Sequence, residues 1–234
     1  MQTQVYIPFR SLKTVHRSVP IATLLLFVHC PLAAEEPAAE TVAMLQKSLF
    51  DGKTLGQWEI VRKGDFQQHG KVEVQDGCIV IGAGMPGSGV RWAGEFPKMG
   101  YEISLEGKRV QGDDFFCGLT FPVGDSALTL ILGGWSGWVV GLSCIDGKYA
   151  IDNETCQGVE FEQDRWYRVR VRVTKPRIEV WLDDKQIVDL QTADHTFAAS
   201  NEMEPCLPMG LATWHTTGAL RHIRYRICES PVGQ

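Results

Sequence analysis

From Leu49 onward the chain consists of short segments in which apolar and polar residues alternate, separated by turns rich in Gly, Asp and Asn. The clearest segment is Trp166–Val173, where a tyrosine and three valines fall on one face of a strand. Arg168, Arg170 and Arg172 fall on the other face. This period of two is that of a half-buried β-strand.

The same pattern predicts strands along the whole region, with Asp76-Gly77, Asp146-Gly147 and Asp183-Asp184 at hairpin turns. Only 41–48 and 192–200 are compatible with short helices. Such a succession predicts an all-β fold, a two-sheet antiparallel sandwich in one domain over 48–230. The predicted strands are 57–62, 71–75, 78–82, 88–93, 100–109, 115–121, 127–132, 137–143, 148–152, 166–174, 177–182, 185–190, 210–214 and 219–228.

The first 34 residues have the order of a secretory signal peptide. A basic stretch at 10–17 precedes an apolar run at 19–30, and small residues end at Ala34. A buried N-terminal helix and a lipid-anchored Cys30 are the alternatives. The order favours export to the periplasm or beyond the cell, with 35–47 as a flexible lead-in to the domain.

Composition narrows the classes of protein further. The formal net charge is -5 and the hydrophobic fraction 44%, which is typical of a globular domain and argues against a nucleic-acid binder. No apolar run reaches the roughly 18 residues of a membrane span. Of the 7 cysteines, all but Cys30 follow the signal, so disulfides are permitted, Cys144–Cys156 being one candidate pair. Because Cys-x-x-Cys is missing, the sequence gives no support to a zinc or thioredoxin-like site.

The polar face of 166–173 has two interpretations. The segment 178–182 alternates in the same way and puts Glu179 and Trp181 on its outer face. A solvated face with cross-strand Arg–Glu pairs is one interpretation. A cationic stripe for an acidic glycan is the other.

Several motifs in a fixed order resemble the 3-keto-disaccharide hydrolase domain family, which has a concanavalin A-like jelly-roll fold. The resemblance covers about 48–228, and Arg221 matches the arginine of the family's closing strand. It implies hydrolysis of glycosidic bonds in 3-keto-disaccharides or related glycosides. The motifs are LFDGKTLGQW at 49–58, VQDGCIV at 74–80, YEISLE at 101–106, the tryptophan-led hairpin at 165–184 and the closing strand at 210–224.

A conventional glycosidase needs two carboxyl groups within about 10 Å of each other. Glu102 and Glu106 share a strand face but lie about 13 Å apart, and Asp152 and Glu154 are typical turn residues. The keto-sugar reaction implied by the resemblance requires one base instead, because a ketone at C3 acidifies the hydrogen at C2.

The candidate catalytic residues follow from that reaction. Glu106 or His215 is the candidate base, and Arg91 or Arg221 the candidate partner of the enolate oxygen. No cofactor is required for this chemistry.

Tryptophans are the candidate sugar-stacking residues. Trp135 and Trp138 flank Ser136-Gly137 in a glycine-rich loop, and Trp92 and Trp214 are expected on the same concave surface. The other tryptophans, Trp58, Trp166 and Trp181, are expected in the core.

Loop carboxylates suggest a calcium site. Asp113, Asp114 and Asp146 lie in predicted loops, and calcium prefers oxygen ligands. Acidic turn residues without a metal are the alternative.

Two other function classes stay open. The region 112–118 lacks the arginine that follows the family's Asn-Ser-Gly stretch, and His222 stands where asparagine is common. These departures favour a non-catalytic carbohydrate-binding module. An extracellular structural or adhesion module is the third class. Carbohydrate is the expected partner in the first two classes, whereas the third would bind no small ligand. No nucleic acid and no membrane span are expected.

Overall fold

The computed structural model describes residues 46–228, which form two antiparallel sheets packed face to face. The predicted all-β sandwich is thereby confirmed. The predicted signal peptide at 1–34 and the lead-in up to residue 45 lie outside the described residues. Within the described part, no helix is long and apolar enough to cross a membrane.

One sheet, called here the eight-stranded sheet, has the order β13-β12-β11-β6-β15-β4-β3, with β1 paired to β15. Its centre is formed by two long strands, β6 and β15, that pair along most of their length. The strands are β1 (Lys47–Ser48), β3 (Val72–Gln75), β4 (Cys78–Ile81), β6 (Tyr101–Gln111), β11 (Trp166–Val173), β12 (Arg177–Leu182), β13 (Lys185–Gln191) and β15 (Thr217–Ile227).

The other sheet, the seven-stranded sheet, has the order β10-β9-β8-β7-β14-β5-β2. Short 3₁₀ turns lie at Gly64–Phe66, Ala150–Asp152 and Glu204–Cys206, and a single helical turn at Gly134–Gly137. The strands are β2 (Trp58–Ile60), β5 (Gly87–Trp92), β7 (Cys117–Val123), β8 (Ser126–Gly133), β9 (Val139–Ser143), β10 (Gln157–Gly158) and β14 (Gly210–Trp214).

The main core lies between the sheets and follows the alternation of the sequence. Tyr167, Val169, Val171 and Val173 are all buried, as their period of two predicts. The hydroxyl of buried Tyr101 donates to the carbonyl of Pro122 at 2.7 Å, so that its polar atom is satisfied across the two sheets.

A second, smaller apolar cluster covers the outer face of the seven-stranded sheet. Glycines on the sheet let the covering loops approach: a Cβ on Gly89 would lie 3.0 Å from the Phe66 ring, and one on Gly210 would lie 2.6 Å from the Cys206 carbonyl. The seven-stranded sheet thus carries an additional loop layer on its outer face. The buried members of this apolar cluster include Phe66, Phe115, Ile131, Met203 and Cys206.

Most predicted strands form, and the differences have local causes. Segment 148–152 is not a strand but an isolated bridge followed by the 3₁₀ turn Ala150–Asp152, with the Ala150 N–H bound to the Ser143 hydroxyl. Segment 192–200 contains no helix and instead bonds the loop after β9. Trp58 is buried as expected, whereas Trp166 and Trp181 are half-buried on the outer face.

The six cysteines of the described part are all free thiols, so the candidate Cys144–Cys156 disulfide is not formed. Cys117 lies in the main core and Cys206 in the loop layer. Burial raises the pKa of both thiols to about 12.

Candidate functional site

A cavity of about 350 Å³ opens on the outer face of the seven-stranded sheet, under the loop layer. It combines aromatic walls with a small number of polar groups, as sites for small organic ligands usually do. The aromatic wall residues are Phe115, Trp135, Tyr149 and Trp214, and the polar ones are Asp114, Ser143, Ser200 and Glu202.

Asp114 is one of two half-buried carboxylates of this cavity, and Glu202 is the other. Asp114 lies in the loop between β6 and β7, where its own N–H donates to the Thr216 hydroxyl at 2.9 Å and its Oδ1 accepts from the Phe115 N–H at 2.7 Å. Burial raises the pKa of Asp114, outweighing the backbone N–H groups of Phe115 and Trp135 and the charge of His215, which lower it. A fixed carboxylate with a raised pKa is suited to accept a proton.

The Trp135 wall is held in an unusual backbone conformation. Trp135 and Ser136 both have positive φ, 48° and 66°, which is rare for residues with side chains. Arg109, only 6% exposed, points to this loop from β6 and donates through Nη2 to the Gly137 carbonyl at 2.8 Å. Weaker contacts at 3.4 Å reach the carbonyls of Gly133 and Asp114. Arg109 therefore positions both Trp135 and Asp114.

Replacing Arg109 with methionine is expected to lower the free energy of unfolding by about 1–3 kcal/mol, since it leaves buried carbonyls without a donor. The tryptophan emission of the native state should change as well, because the loop of Trp135 loses its anchor. Urea denaturation followed by fluorescence measures both. Arg62→Met, at an exposed arginine, is the control and should change neither. Equal stability of the two variants would contradict the role of Arg109.

Tyr149 and Glu202 form the polar side of the cavity. The Tyr149 hydroxyl donates to Glu202 Oε1 at 3.2 Å, with Oε2 at 3.4 Å. Partial burial and the neighbouring carboxylate of Glu202 raise the pKa of Tyr149. Sequence reasoning did not identify either residue, because both lie in irregular segments whose contact depends on the folding of two distant loops.

The structure brings several of the predicted site residues to this cavity. Trp135 and Trp214 are two of its walls, and Asp114, predicted as a metal ligand, is one of its two carboxylates. His215 is exposed beside it, with its ring centroid 6.2 Å from that of Trp214.

Glu106 and Arg221, the other predicted catalytic residues, lie on the outer face of the eight-stranded sheet. Arg221 Nε donates to Glu106 Oε2 at 2.8 Å. Partial burial acts to raise the pKa of Glu106, but the hydrogen bond and charge of Arg221, with the contact from His222, leave it below its usual value. A carboxylate held in this way is a weak proton acceptor at neutral pH.

The remaining predicted substrate-binding residues do not line the cavity. Trp92 packs in the main core with 7% of its surface exposed. Trp138 is 47% exposed and lies over Gly158. Arg91 forms an exposed ion pair with Glu59 on β2.

The three aspartates predicted for calcium do not form one cluster. Asp113 is exposed, Asp114 faces the cavity, and Asp146 bonds the Thr196 N–H and His195 Nδ1, each at 2.7 Å. The hydrogen bonds from Thr196 and His195 lower the pKa of Asp146 to about 2. Across residues 46–228 no group of three or more His, Cys, Asp or Glu side chains is arranged to hold a metal ion.

Solved structures share this fold at low sequence identity. A candidate glycosyl hydrolase from Parabacteroides distasonis ATCC 8503 has a TM-score of 0.50 at 16% identity, over 83% of this chain and 99% of that one. The Crh5 transglycosylase in complex with NAG gives 0.52 at 11%, over 80% and 85%. A Bacillus subtilis protein of unknown function with a galectin-like fold gives 0.53 at 10%, over 74% and 91%. The predicted concanavalin A-like jelly roll is confirmed.

No curated protein sequence matches the chain. The family model of the 3-keto-alpha-glucoside-1,2-lyase-like domain matches residues 46–226. This match begins one residue before β1 and ends within β15, and it confirms the resemblance that the motifs indicate. The chain therefore belongs to the 3-keto-alpha-glucoside-1,2-lyase-like domain family, a family of carbohydrate-active domains.

Proposed function

We propose that this protein cleaves the glycosidic bond of a 3-keto-disaccharide or a related 3-keto-glycoside in the cavity of the seven-stranded sheet. The observation that carries the proposal is Asp114, a carboxylate with a raised pKa among aromatic walls. Aromatic faces suit the apolar faces of sugar rings. Membership of the family supplies the substrate class.

Asp114 is the base in the proposed reaction. It takes the proton from C2, which the C3 ketone makes acidic, and the electron pair of that bond forms an enolate. The enolate then expels the group on C1, the C1–O bond breaks, and the leaving oxygen receives a proton. Water adds to the resulting enone at C1 while C2 regains a proton, so the net reaction is hydrolysis.

The other cavity residues are assigned positioning and stabilising roles. Tyr149 is the proposed donor to the enolate oxygen: its hydroxyl proton, which bonds Glu202 in the free protein, turns to the enolate when substrate binds. Trp135 and Trp214 hold the sugar ring between aromatic surfaces. Glu106 and Arg221 are not part of this assignment because they lie on the other sheet. Since residues 1–34 have the order of a secretory signal, we place the reaction outside the cytoplasm.

Incubation of the purified protein with 3-keto-disaccharides and with their unoxidised parents tests the proposal. Product release should occur with the keto forms only, because only they have an acidified C2 hydrogen. Added calcium should not change the rate, since the proposed steps require no metal. Cleavage of the parents at an equal rate would contradict the elimination mechanism.

A non-catalytic carbohydrate-binding module is the second candidate. The hydrogen bond from the Phe115 N–H to the Asp114 carboxylate favours it, because a loop residue with a purely structural role would make the same bond. In that case the keto-disaccharide binds saturably but no product appears. Turnover thus separates the two candidates.

Replacing Trp135 with alanine is expected to reduce strongly the change in tryptophan fluorescence that a bound saccharide produces, because one of the two tryptophan walls of the cavity is lost. Trp138→Ala removes an exposed tryptophan of the same loop region and serves as the matched control. It should leave the titration intact. If both variants titrate like the wild type, Trp135 does not contact the ligand.

A further inference from the structure

The outer face of the eight-stranded sheet, opposite to the cavity, carries a strip of basic side chains along four of its strands. Strands β6, β11, β12 and β15 place eight arginine or lysine side chains on it, against three glutamates. Aspartates at the margin of this face pair with part of the strip: Asp164 with Lys108, Asp184 with Arg168 and Asp189 with Arg177. An arginine of this strip without an acidic partner is therefore a candidate contact for an anionic ligand.

The register of three adjacent strands arranges these charges in rows. Each row takes one residue from β11, one from β6 and one from β15, and the side chains of a row share the outer face. The first row is Arg172, Glu102 and Arg226. The third is Arg168, Glu106 and Arg221. In both rows a glutamate stands between two arginines.

The first row shows how a carboxylate fits between two arginines at this strand spacing. Glu102 Oε2 accepts from Arg172 Nε at 3.1 Å, and Oε1 accepts from Arg226 Nε at 3.0 Å. The carboxylate is only 5% exposed. Neighbouring strands are about 4.8 Å apart, so the Cα atoms of the two arginines in a row are roughly 10 Å apart.

The middle row also has an arginine on each side, but no acidic residue stands between them. It consists of Arg170, Ser104 and Arg224, so that a half-buried serine occupies the glutamate position. Arg224 is exposed and makes no ion pair or side-chain hydrogen bond with any residue of 46–228. A depression of about 400 Å³ is lined by all three residues, and its other charged lining residues are Glu106, Arg168, Asp183 and Asp184.

One of the two arginines is already oriented by its surroundings. The guanidinium of Arg170 stacks on Trp181, 3.8 Å from the ring centroid, and its Nη1 donates to Glu102 at 3.2 Å. A stacked guanidinium loses less conformational freedom when it binds a ligand. Its planar fork matches the geometry of a carboxylate.

The geometry points to a binding site for a carboxylate-bearing saccharide, a uronic acid residue, in the Arg170–Ser104–Arg224 row. The ligand carboxylate takes the position that Glu102 and Glu106 occupy in the neighbouring rows. The Ser104 hydroxyl is a further donor beneath it. This site lies on a different sheet from the cavity and does not depend on the proposed reaction.

Titration with tetragalacturonate, and with its neutral methyl ester, tests the site by calorimetry. The acid should bind and the ester should not, and added salt should weaken binding. Arg224→Gln should weaken binding about tenfold, as expected for loss of a charge-assisted contact. Two control variants should bind the tetragalacturonate normally. Arg62→Gln makes an equal change of charge at an exposed arginine elsewhere, and Asp114→Asn alters the cavity on the other sheet.

Ser104→Glu provides a variant that should remain folded, because it reproduces the neighbouring rows. Its own carboxylate should fill the site, so binding is lost while the melting temperature rises. Inorganic sulfate at equal ionic strength should compete less well than glucuronate does. Equal binding of acid and ester, or unchanged binding by both Arg224→Gln and Ser104→Glu, would overturn the assignment.

Discussion

Asp114→Asn is expected to lower the turnover of a 3-keto-disaccharide by about 10²–10⁴-fold, the usual contribution of a positioned general base. The fold should persist, because the amide oxygen of asparagine can still accept from the Phe115 N–H. Asp113→Asn alters the adjacent but exposed carboxylate and should leave turnover unchanged. Steady-state kinetics with thermal melting distinguishes loss of chemistry from loss of structure.

The pH profile gives an independent test of the same residue. A base must be deprotonated to act, so activity should rise with pH through the pKa of Asp114. Because burial raises that pKa, the acidic limb should lie above the ordinary value for aspartate, 3.8. An acidic limb at or below 3.8, or full activity in Asp114→Asn, would exclude Asp114 as the base.

Glu102→Gln is expected to lower the free energy of unfolding by about 2–4 kcal/mol. The nearly buried carboxylate contacts Arg170, Arg172 and Arg226, and its loss leaves three like charges together. The loss of stability should be smaller than that for breaking a fully buried ion pair, because the three arginines remain partly exposed. Asp125→Asn removes an acid that is 96% exposed and should cost less than about 0.5 kcal/mol. Urea denaturation of both variants measures the difference.

The contribution of Glu102 should also depend on pH. Burial alone acts to raise its pKa, but the hydrogen bond and charge of Arg226 and the charges of Arg170 and Arg172 bring the pKa below the ordinary 4.5. A carboxyl with a lowered pKa in the folded state stabilises the protein above its unfolded pKa, and this stability is lost as pH falls through the folded value. The wild type should therefore lose stability below about pH 4.5 more steeply than Glu102→Gln. Parallel curves would contradict the ion-pair role.

The strands could be predicted from sequence because their signal is local. Alternation at 166–173 fixes which face of β11 is buried, and Asp76-Gly77 and Asp146-Gly147 do occupy turns with positive φ at both residues. The charged face follows from the same alternation. The arrangement of its charges in rows cannot be predicted in this way, because it depends on the register between strands that are far apart in the chain.

The candidate site was predictable only in part. Trp135 and Trp214 were identified by residue type, but the assignment of Asp114 to a cavity depends on contacts that no local pattern encodes. Buried Arg109 holds the 133–137 loop from another strand, and the 194–208 segment supplies Glu202. The bulge of β15 between Arg221 and Arg224 likewise requires knowledge of its partner β6.

The buried thiols make the protein suitable for pulsed labelling with a thiol reagent. Cys117 lies between the two sheets, whereas Cys206 lies in the loop layer on the outer face of the seven-stranded sheet. With pKa values of about 12 and no exposed surface, both react only when their surroundings open. Mass spectrometry of the labelled peptides would then report the opening of each layer separately. Faster labelling of Cys206 than of Cys117 would show that the loop layer opens without unfolding of the sandwich.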